Sequence, residues 1–356
     1  MTTKPKVVLG LSGGVDSAVA AELLSRDYEV HGLYLDIGLG GTGKADAAAV
    51  ARRLGIPFHT ADIRQALEQQ VCAPFAAGYL AGRTPLPCAL CNPTVKFPAL
   101  LALAEEIGAD RVATGHYART APAPDGRALL RKGLPANDQS YMLSRLPQNI
   151  LQKVIFPLGD YEKTQVRAMA GAAELPVADK PDSMEICFIP DGDYAAWLER
   201  RGAAAPSGDF VDRDGNVLGR HGGIHRYTLG QGRGLGVSGP HKYYVTEIDP
   251  ANDRVVLSDG GDLMAGRVLC TDMNWLAVDG LPEPLEVTVR LRHSKTELPA
   301  LAVACGEGVV LEMRTPARAP TPGQLAVLYL GDVVAASGWI AGAERLPGPP
   351  SLEEGV

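Results

Sequence analysis

Six consecutive residues, Ser12-Gly13-Gly14-Val15-Asp16-Ser17, follow the apolar run Val7–Leu11 and open the Ala- and Leu-rich stretch Asp16–Leu24. Adjacent glycines let a backbone turn sharply and approach a ligand closely. Amide groups at the start of a helix then favour an anion, and Ser12 and Ser17 can add hydroxyl donors. Asp16 cannot bind phosphate directly; its type suits a helix cap or a Mg2+ ion. A bare Gly-Gly would be read as an ordinary strand-to-helix turn, but the longer string is more specific. It has neither the lysine of a Walker A loop nor the Gly-x-Gly-x-x-Gly of a dinucleotide fold.

A second reactive group lies in Pro85-Leu86-Pro87-Cys88-Ala89-Leu90-Cys91-Asn92-Pro93, just before Lys96-Phe97. Cys-x-x-Cys fits a zinc half-site, a redox pair or two iron–sulfur ligands. A zinc site wants further Cys or His nearby, and there is no second Cys-x-x-Cys. Cys187 sits in Asp182-Ser183-Met184-Glu185-Ile186-Cys187-Phe188-Ile189-Pro190. The apolar centre suits a core strand, whereas the acidic flanks suit a loop beside a polar site. Lone cysteines in apolar runs, Cys270 and Cys305, read as small buried hydrophobes.

The elements that must hold these residues alternate. Val7–Leu11, Val30–Leu35, Phe58–Asp62 and Arg111–Thr114 read as strands; Asp16–Leu24, Ala45–Leu54 and Ala99–Ile107 read as helices. That pattern predicts an α/β fold with a parallel sheet covered by helices. After a Pro- and Gly-bearing stretch at Arg201–Gly208, short strands punctuated by turns are expected: Val211–Val217, Tyr243–Ile248, Arg254–Leu257, Leu285–Arg292, Leu301–Ala304, Gly308–Arg314, Gln324–Tyr329 and Val333–Trp339. These predict small barrels or sandwiches. No internal repeat is visible. The Pro- and Glu-rich end reads as a disordered tail.

The chain has 356 residues, of which 46% are hydrophobic and 21% charged, so two or three ordinary globular domains are expected. No run approaches the ~18 apolar residues of a membrane span and no secretory signal is seen. A cytosolic protein with no membrane partner follows, whose six cysteines are not a disulfide framework. A net charge of −7 argues against non-specific nucleic-acid binding. His221 and His225 lack a third metal ligand. Arg290, Arg292, His293, Lys295, Arg314 and Arg318 are interleaved with Glu286, Glu297 and Glu312, which reads as a solvated face as well as a phosphate track.

The loop Ser12–Ser17 resembles the pyrophosphate loop of ATP pyrophosphatases, enzymes that adenylate a substrate and release pyrophosphate. Five further strings extend the likeness: Cys91-Asn92 with Lys96-Phe97, Thr114-Gly115-His116-Tyr117-Ala118, Asp138-Gln139-Ser140-Tyr141, Asp182–Pro190, and Tyr227-Thr228-Leu229-Gly230-Gln231 with Gly234-Leu235-Gly236. All six, in this order, resemble the bacterial tRNA-specific 2-thiouridylase family (MnmA/TrmU) of the PP-loop superfamily, over roughly residues 6 to 344. The resemblance implies an ATP-pyrophosphatase (adenine nucleotide α-hydrolase-like) catalytic domain at 1–200. A small central β-rich domain at 205–268 and a C-terminal β-barrel at 274–344 would follow, with the tail at 345–356.

The implied reaction uses Mg-ATP to adenylate the C2 oxygen of a tRNA wobble uridine and replaces that oxygen with sulfur. By resemblance, Cys187 carries a persulfide received from a sulfur donor protein, a cysteine desulfurase or relay. Cys91 is the nucleophilic partner thiol, ending in a disulfide with Cys187. Gly10, Leu11, Ser12, Gly13, Gly14, Val15, Asp16 and Ser17 would hold ATP, with Leu35 and Gly115 beside the nucleotide. Leu86, Pro87 and Cys88 would flank the target base. His116, Asn137, Asp138, Gln139, Arg292, His293 and Gln324 would face tRNA. A second reading makes Cys88, Cys91 and Cys187 ligands of a [4Fe-4S] cluster whose fourth iron takes sulfide. Asn137 replaces a lysine common in the family, Gly232-Arg233 replaces a basic pair, and Asp36–Lys44 lacks an acidic insertion. Rival readings are an ATP-dependent ligase or amidotransferase of the same fold, and an RNA-binding module with a degenerate loop.

Overall fold

In a computed structural model that describes residues 4–181 and 186–346, the first half of the alternating pattern becomes β1 (Lys6–Gly10), α1 (Val15–Leu24), β2 (Glu29–Asp36), α2 (Gly43–Leu54) and β3 (Phe58–Asp62). Asp182–Glu185, within the third-cysteine string, and the tail from residue 347 lie outside the described residues. The chain continues through α3 (Arg64–Leu67), a π-turn at Glu68–Cys72 and α4 (Ala73–Leu80). Next come α5 (Pro87–Cys91), a second π-turn at Asn92–Lys96 and α6 (Phe97–Ile107). Both π-turns have a physical cause close by: Pro74, Pro93 and Pro98 lack the N–H that an α-helical ladder needs. Phe97 N–H accordingly reaches back five residues to Asn92 O.

β4 (Arg111–Ala113), the hairpin β5 (Ala118–Pro122) and β6 (Ala128–Lys132), the short helices α7 (Ser140–Leu143) and α8 (Gln148–Leu151), β7 (Val154–Ile155), α9 (Lys163–Ala172) and α10 (Tyr194–Arg200) complete this half. The sheet order is β3-β2-β1-β4-β7, every pair parallel. Val7, Val8 and Leu9 are fully buried, as a sheet covered on both faces requires. The strand order reverses between β1 and β4, and that crevice is where open α/β sheets bind ligands.

The central region is a four-stranded sheet, β10-β11-β8-β9, from β8 (Gly208–Val211), β9 (Val217–His221), β10 (Tyr244–Asp249) and β11 (Arg254–Ser258). The strand expected at Val211–Val217 is instead a hairpin turn. Asp212 Oδ1 accepts the N–H groups of Asp214 and Asn216, an Asx device that bends the chain.

β12 (Met264–Trp275), β13 (Leu285–Arg290), β14 (Leu298–Cys305), β15 (Gly308–Arg318), β16 (Leu325–Leu330) and β17 (Val333–Arg345) form a closed six-stranded barrel, β12 pairing with both β15 and β17. Cys270 is buried in it, but Cys305 is exposed. Cys305 ends its strand at a tight turn, beyond the core-facing alternation. β17 runs to Arg345, and Leu346 N–H bonds Met264 O, so the chain is still paired where the tail was expected to begin.

The barrel is seated on the first half. The β5–β6 hairpin extends the barrel sheet beside β17, and one apolar core runs from Val8 and Phe97 through Tyr141 to Leu325, Val327 and Tyr329. Asp138, expected at the tRNA, is the polar centre of this seam. Its carboxylate is 3% exposed, lies 2.5 Å from Arg290, and accepts from Gly133 N–H and from Ser140. Gln139 is held likewise: its Oε1 accepts Tyr117 N–H. Gln324 donates to Thr84 O at 2.8 Å. All three side chains have partners within the protein.

Candidate nucleotide and thiol site

The Ser12–Ser17 loop leaves β1 at the switch point. Gly13 has φ +76°, and a Cβ there would meet Gly43 O at 2.3 Å, so glycine is required on both counts. Gly14 is the N-cap of α1, with no side-chain cap. Asp16 is therefore not the cap that its type allowed. It sits in the first turn, and its Oδ1 accepts from Tyr117 Oη at 2.7 Å and Lys163 Nζ at 2.6 Å. Ser17 Oγ accepts Ser12 N–H at 3.2 Å and donates to Gly14 O at 3.0 Å, closing the loop on itself. Gly10 and Leu11 end the strand beneath it, and Leu35 lies on the neighbouring β2. Gly115 passes so close over α1 that a Cβ would lie 2.9 Å from Asp16 C and Ser17 N.

One residue further, His116 turns the other way. Its Nδ1 meets Thr114 Oγ1 at 2.7 Å, and its ring stacks on Phe97 and meets the edge of Phe156. Burial, then the charge of Lys96, hold it well below its ordinary value, so the imidazole is neutral at physiological pH. Lys96 ends the π-turn that begins one residue after Cys91. The same ammonium acts on Cys91 and on Cys187. Gly115 thus presses on the phosphate loop, and the Lys96 charge reaches His116 and both thiols.

Cys91 packs against the cluster of Val71, Cys72, Phe75, Val95, Phe188 and Ile189, alongside Ile186. Ile186 and Phe188, which flank Cys187, thus pack in the same cluster as Cys91, 96 positions earlier than Cys187, and both thiols are free. Burial raises Cys91, opposed by Lys96. Cys187 has surface open to solvent, yet surrounding protein first and Cys91 second push it up to about 11, again opposed by Lys96. Cys88, at intermediate exposure, adds to both shifts. Among the described residues, no group of three His, Cys, Asp or Glu is arranged to hold a metal ion. Cys88 and Cys91 both act on Cys187.

Leu86 is the N-cap of α5 and Pro87 its first residue, which brings them beside Cys88. Arg292 and His293 are exposed on the barrel rim after β13, and Arg292 donates to Arg318 O. Asn137 faces Glu162 at the start of α9, near the phosphate loop rather than the rim. Sequence reasoning missed Lys163 and Lys180, which bond Asp16 and Gly13 O; no local pattern marks a lysine that acts at a distance. It also missed Cys72, a buried thiol pushed up to about 12 by burial and next by Glu68, with Cys187 and Cys91 contributing.

Residues 5–191 match a model described as a tRNA methyl transferase HUP domain. Residues 195–259 match a tRNA methyl transferase PRC-barrel domain, and residues 266–340 an aminomethyltransferase beta-barrel domain. A tRNA-specific 2-thiouridylase MnmA of Acidithiobacillus ferrooxidans is 44% identical over 348 residues, 95% of this chain and 99% of that protein. MnmA 1 of Caldanaerobacter subterraneus subsp. tengcongensis is 42% identical, covering 96% and 99%. MnmA of Rhodospirillum centenum is 42% identical, covering 96% and 93%. With a phosphate loop at the switch point, two free thiols under the charge of one lysine and relatives matched along nearly their whole length, the chain belongs to the tRNA-specific 2-thiouridylase family.

Proposed function

We propose that the chain is a tRNA-uridine 2-sulfurtransferase that converts the wobble uridine, position 34, to 2-thiouridine while ATP becomes AMP and pyrophosphate. The observation that carries this reading is that one domain holds both the tightly closed phosphate loop, with Gly115 pressed against it, and the thiols Cys91 and Cys187 under the charge of Lys96. The C2 carbonyl is a poor electrophile; adenylation turns its oxygen into part of a good leaving group. Ser12–Ser17 would hold the phosphates on backbone amides. The Asp16 carboxylate at the loop suits a hard, oxygen-seeking cation, so Asp16 would hold Mg2+, which neutralises phosphate charge when bound.

The sulfur half follows. A Cys187 persulfide, loaded by a donor protein, attacks C2 through its terminal sulfur and AMP departs. Cys91 thiolate then attacks the Cys187 sulfur, giving a Cys91–Cys187 disulfide and releasing the thiolated base. Lys96 favours the anionic form of both sulfurs. Exposed Arg292 and His293 would meet the tRNA. The reading places the enzyme in the cytoplasm with its substrate.

Methyl transfer, which the family model's description mentions, requires neither a pyrophosphate loop nor two thiols. A ligase or amidotransferase of this fold would leave Cys91 and Cys187 without a role. A cluster route would use Cys88, Cys91 and Cys187 as ligands, and iron content measured on anaerobically purified protein addresses it. The reading is tested by following ATP with unmodified tRNA and Mg2+. It predicts cleavage to AMP and pyrophosphate that requires uridine at position 34. Cleavage to ADP, or equal cleavage with cytidine there, would overturn it.

A further inference from the structure

The phosphate loop contains no cation, yet Lys180 reaches it from 167 positions away. Its Nζ lies 2.9 Å from Gly13 O and 2.7 Å from Asp46 Oδ2. The backbone that carries it is anchored. Arg167 donates to the carbonyls of Ala178 and Lys180, and Leu175 and Val177 are buried in the core that contains α1. The start of α2 closes the other side, where Gly43 O, Ala47 N and Asp46 Cβ crowd Gly13. The N-termini of α1 and α2 therefore both face the loop, and each favours negative charge there.

Among the described residues, Asp46 is the carboxylate that pairs with Lys180. The Lys180 hydrogen bond first, then that of Thr42, hold it below the usual carboxylate range, so it is charged at neutral pH. Thr42 Oγ1 donates to the same oxygen at 2.6 Å, which leaves Asp46 a partner if the lysine departs. A lysine stem is flexible, and its ammonium can swing between nearby anions.

We propose that Lys180 is the cation for the pyrophosphate half of the nucleotide, with Asp46 as the resting counter-ion that it exchanges for a phosphate oxygen when ATP binds. The inference deepens the nucleotide reading of the same loop. It also explains how a loop without a Walker lysine neutralises a triphosphate: the lysine comes from the far end of the domain.

Calorimetric binding of Mg-ATP, inorganic pyrophosphate and AMP to the full chain tests it. Lys180→Ala should weaken ATP and pyrophosphate about tenfold to a hundredfold, the range of a lost charged hydrogen bond. AMP, which lacks the outer phosphates, should bind within about twofold of wild type. Lys180→Arg should recover most of the loss. Asp46→Asn should tighten ATP and pyrophosphate several-fold, because it removes both a competitor and a negative charge. Equal weakening of ATP and AMP in Lys180→Ala, no change in either, or weaker ATP binding in Asp46→Asn would overturn the proposal. If Lys180→Ala melts far below wild type, Lys180→Met, which keeps the stem, carries the same comparison. Pyrophosphate binding needs neither tRNA nor sulfur, so failure of thiolation would leave this result standing, and the reverse holds too.

Discussion

The phosphate loop and the two thiols are built differently. The loop is six consecutive residues whose working groups are backbone amides, closed by Ser17 and fixed by the tight approaches at Gly13 and Gly115. The thiol side is assembled from two distant segments, depends on side chains, and holds Cys187 at about 11. The first is ready for its ligand; the second is mostly protonated at neutral pH. Such a division would keep the sulfurs quiet until a donor or an activated substrate arrives, while the loop backbone already holds its shape.

The largest effect should come from Cys187→Ser. Thiolation should fall more than about a thousandfold, as for loss of a covalent nucleophile, while ATP affinity stays within twofold. Retained thiolation would remove Cys187 from the chemistry and break the comparison. Gly13→Ala should act on the other side. The strained φ and the clash with Gly43 O should cost about 1–3 kcal/mol of loop conformation, read as weaker ATP binding with unchanged thiol alkylation. If alkylation changes as much as binding, the two sides are not separable.

Lys96→Met sharpens the contrast further. Loss of the cation should raise both thiols further, slowing iodoacetamide alkylation of Cys91 and Cys187 several-fold at pH 8, with ATP binding unaffected. Equal rates in variant and wild type would remove Lys96 from thiol control. The smallest effect is a slope. Because the Cys187 thiol is raised, its thiolate fraction grows until pH reaches about 11. Alkylation of Cys187 should keep rising beyond pH 9, where an ordinary thiol begins to level off. A plateau near pH 9 would show an unshifted thiol.

The same contrast governs what could be read from sequence. The loop was legible because its chemistry is contiguous, and its strand and helix neighbours follow from apolar runs and Ala-rich periodicity. Cys91 and Cys187 were singled out by residue type and neighbours, but their proximity depends on how α4 and α5 pack around Phe75 and Phe188. Asp138, Gln139 and Gln324 were assigned to tRNA through the family resemblance, and nothing in the sequence marked the partners they have within the protein. Their partners Arg290, Tyr117 and Thr84 lie far off in sequence. Lys163 and Lys180 were missed for the same reason. The hairpin Ala118–Lys132 was missed because its strands pair with a barrel formed some two hundred residues later.

The most direct test is nucleoside mass spectrometry of unmodified tRNA incubated anaerobically with the protein, Mg-ATP and a persulfide donor. The account predicts 2-thiouridine at position 34 with wild type and none with Cys187→Ser. Persistent uridine with the wild type, although ATP is cleaved to AMP, would contradict it.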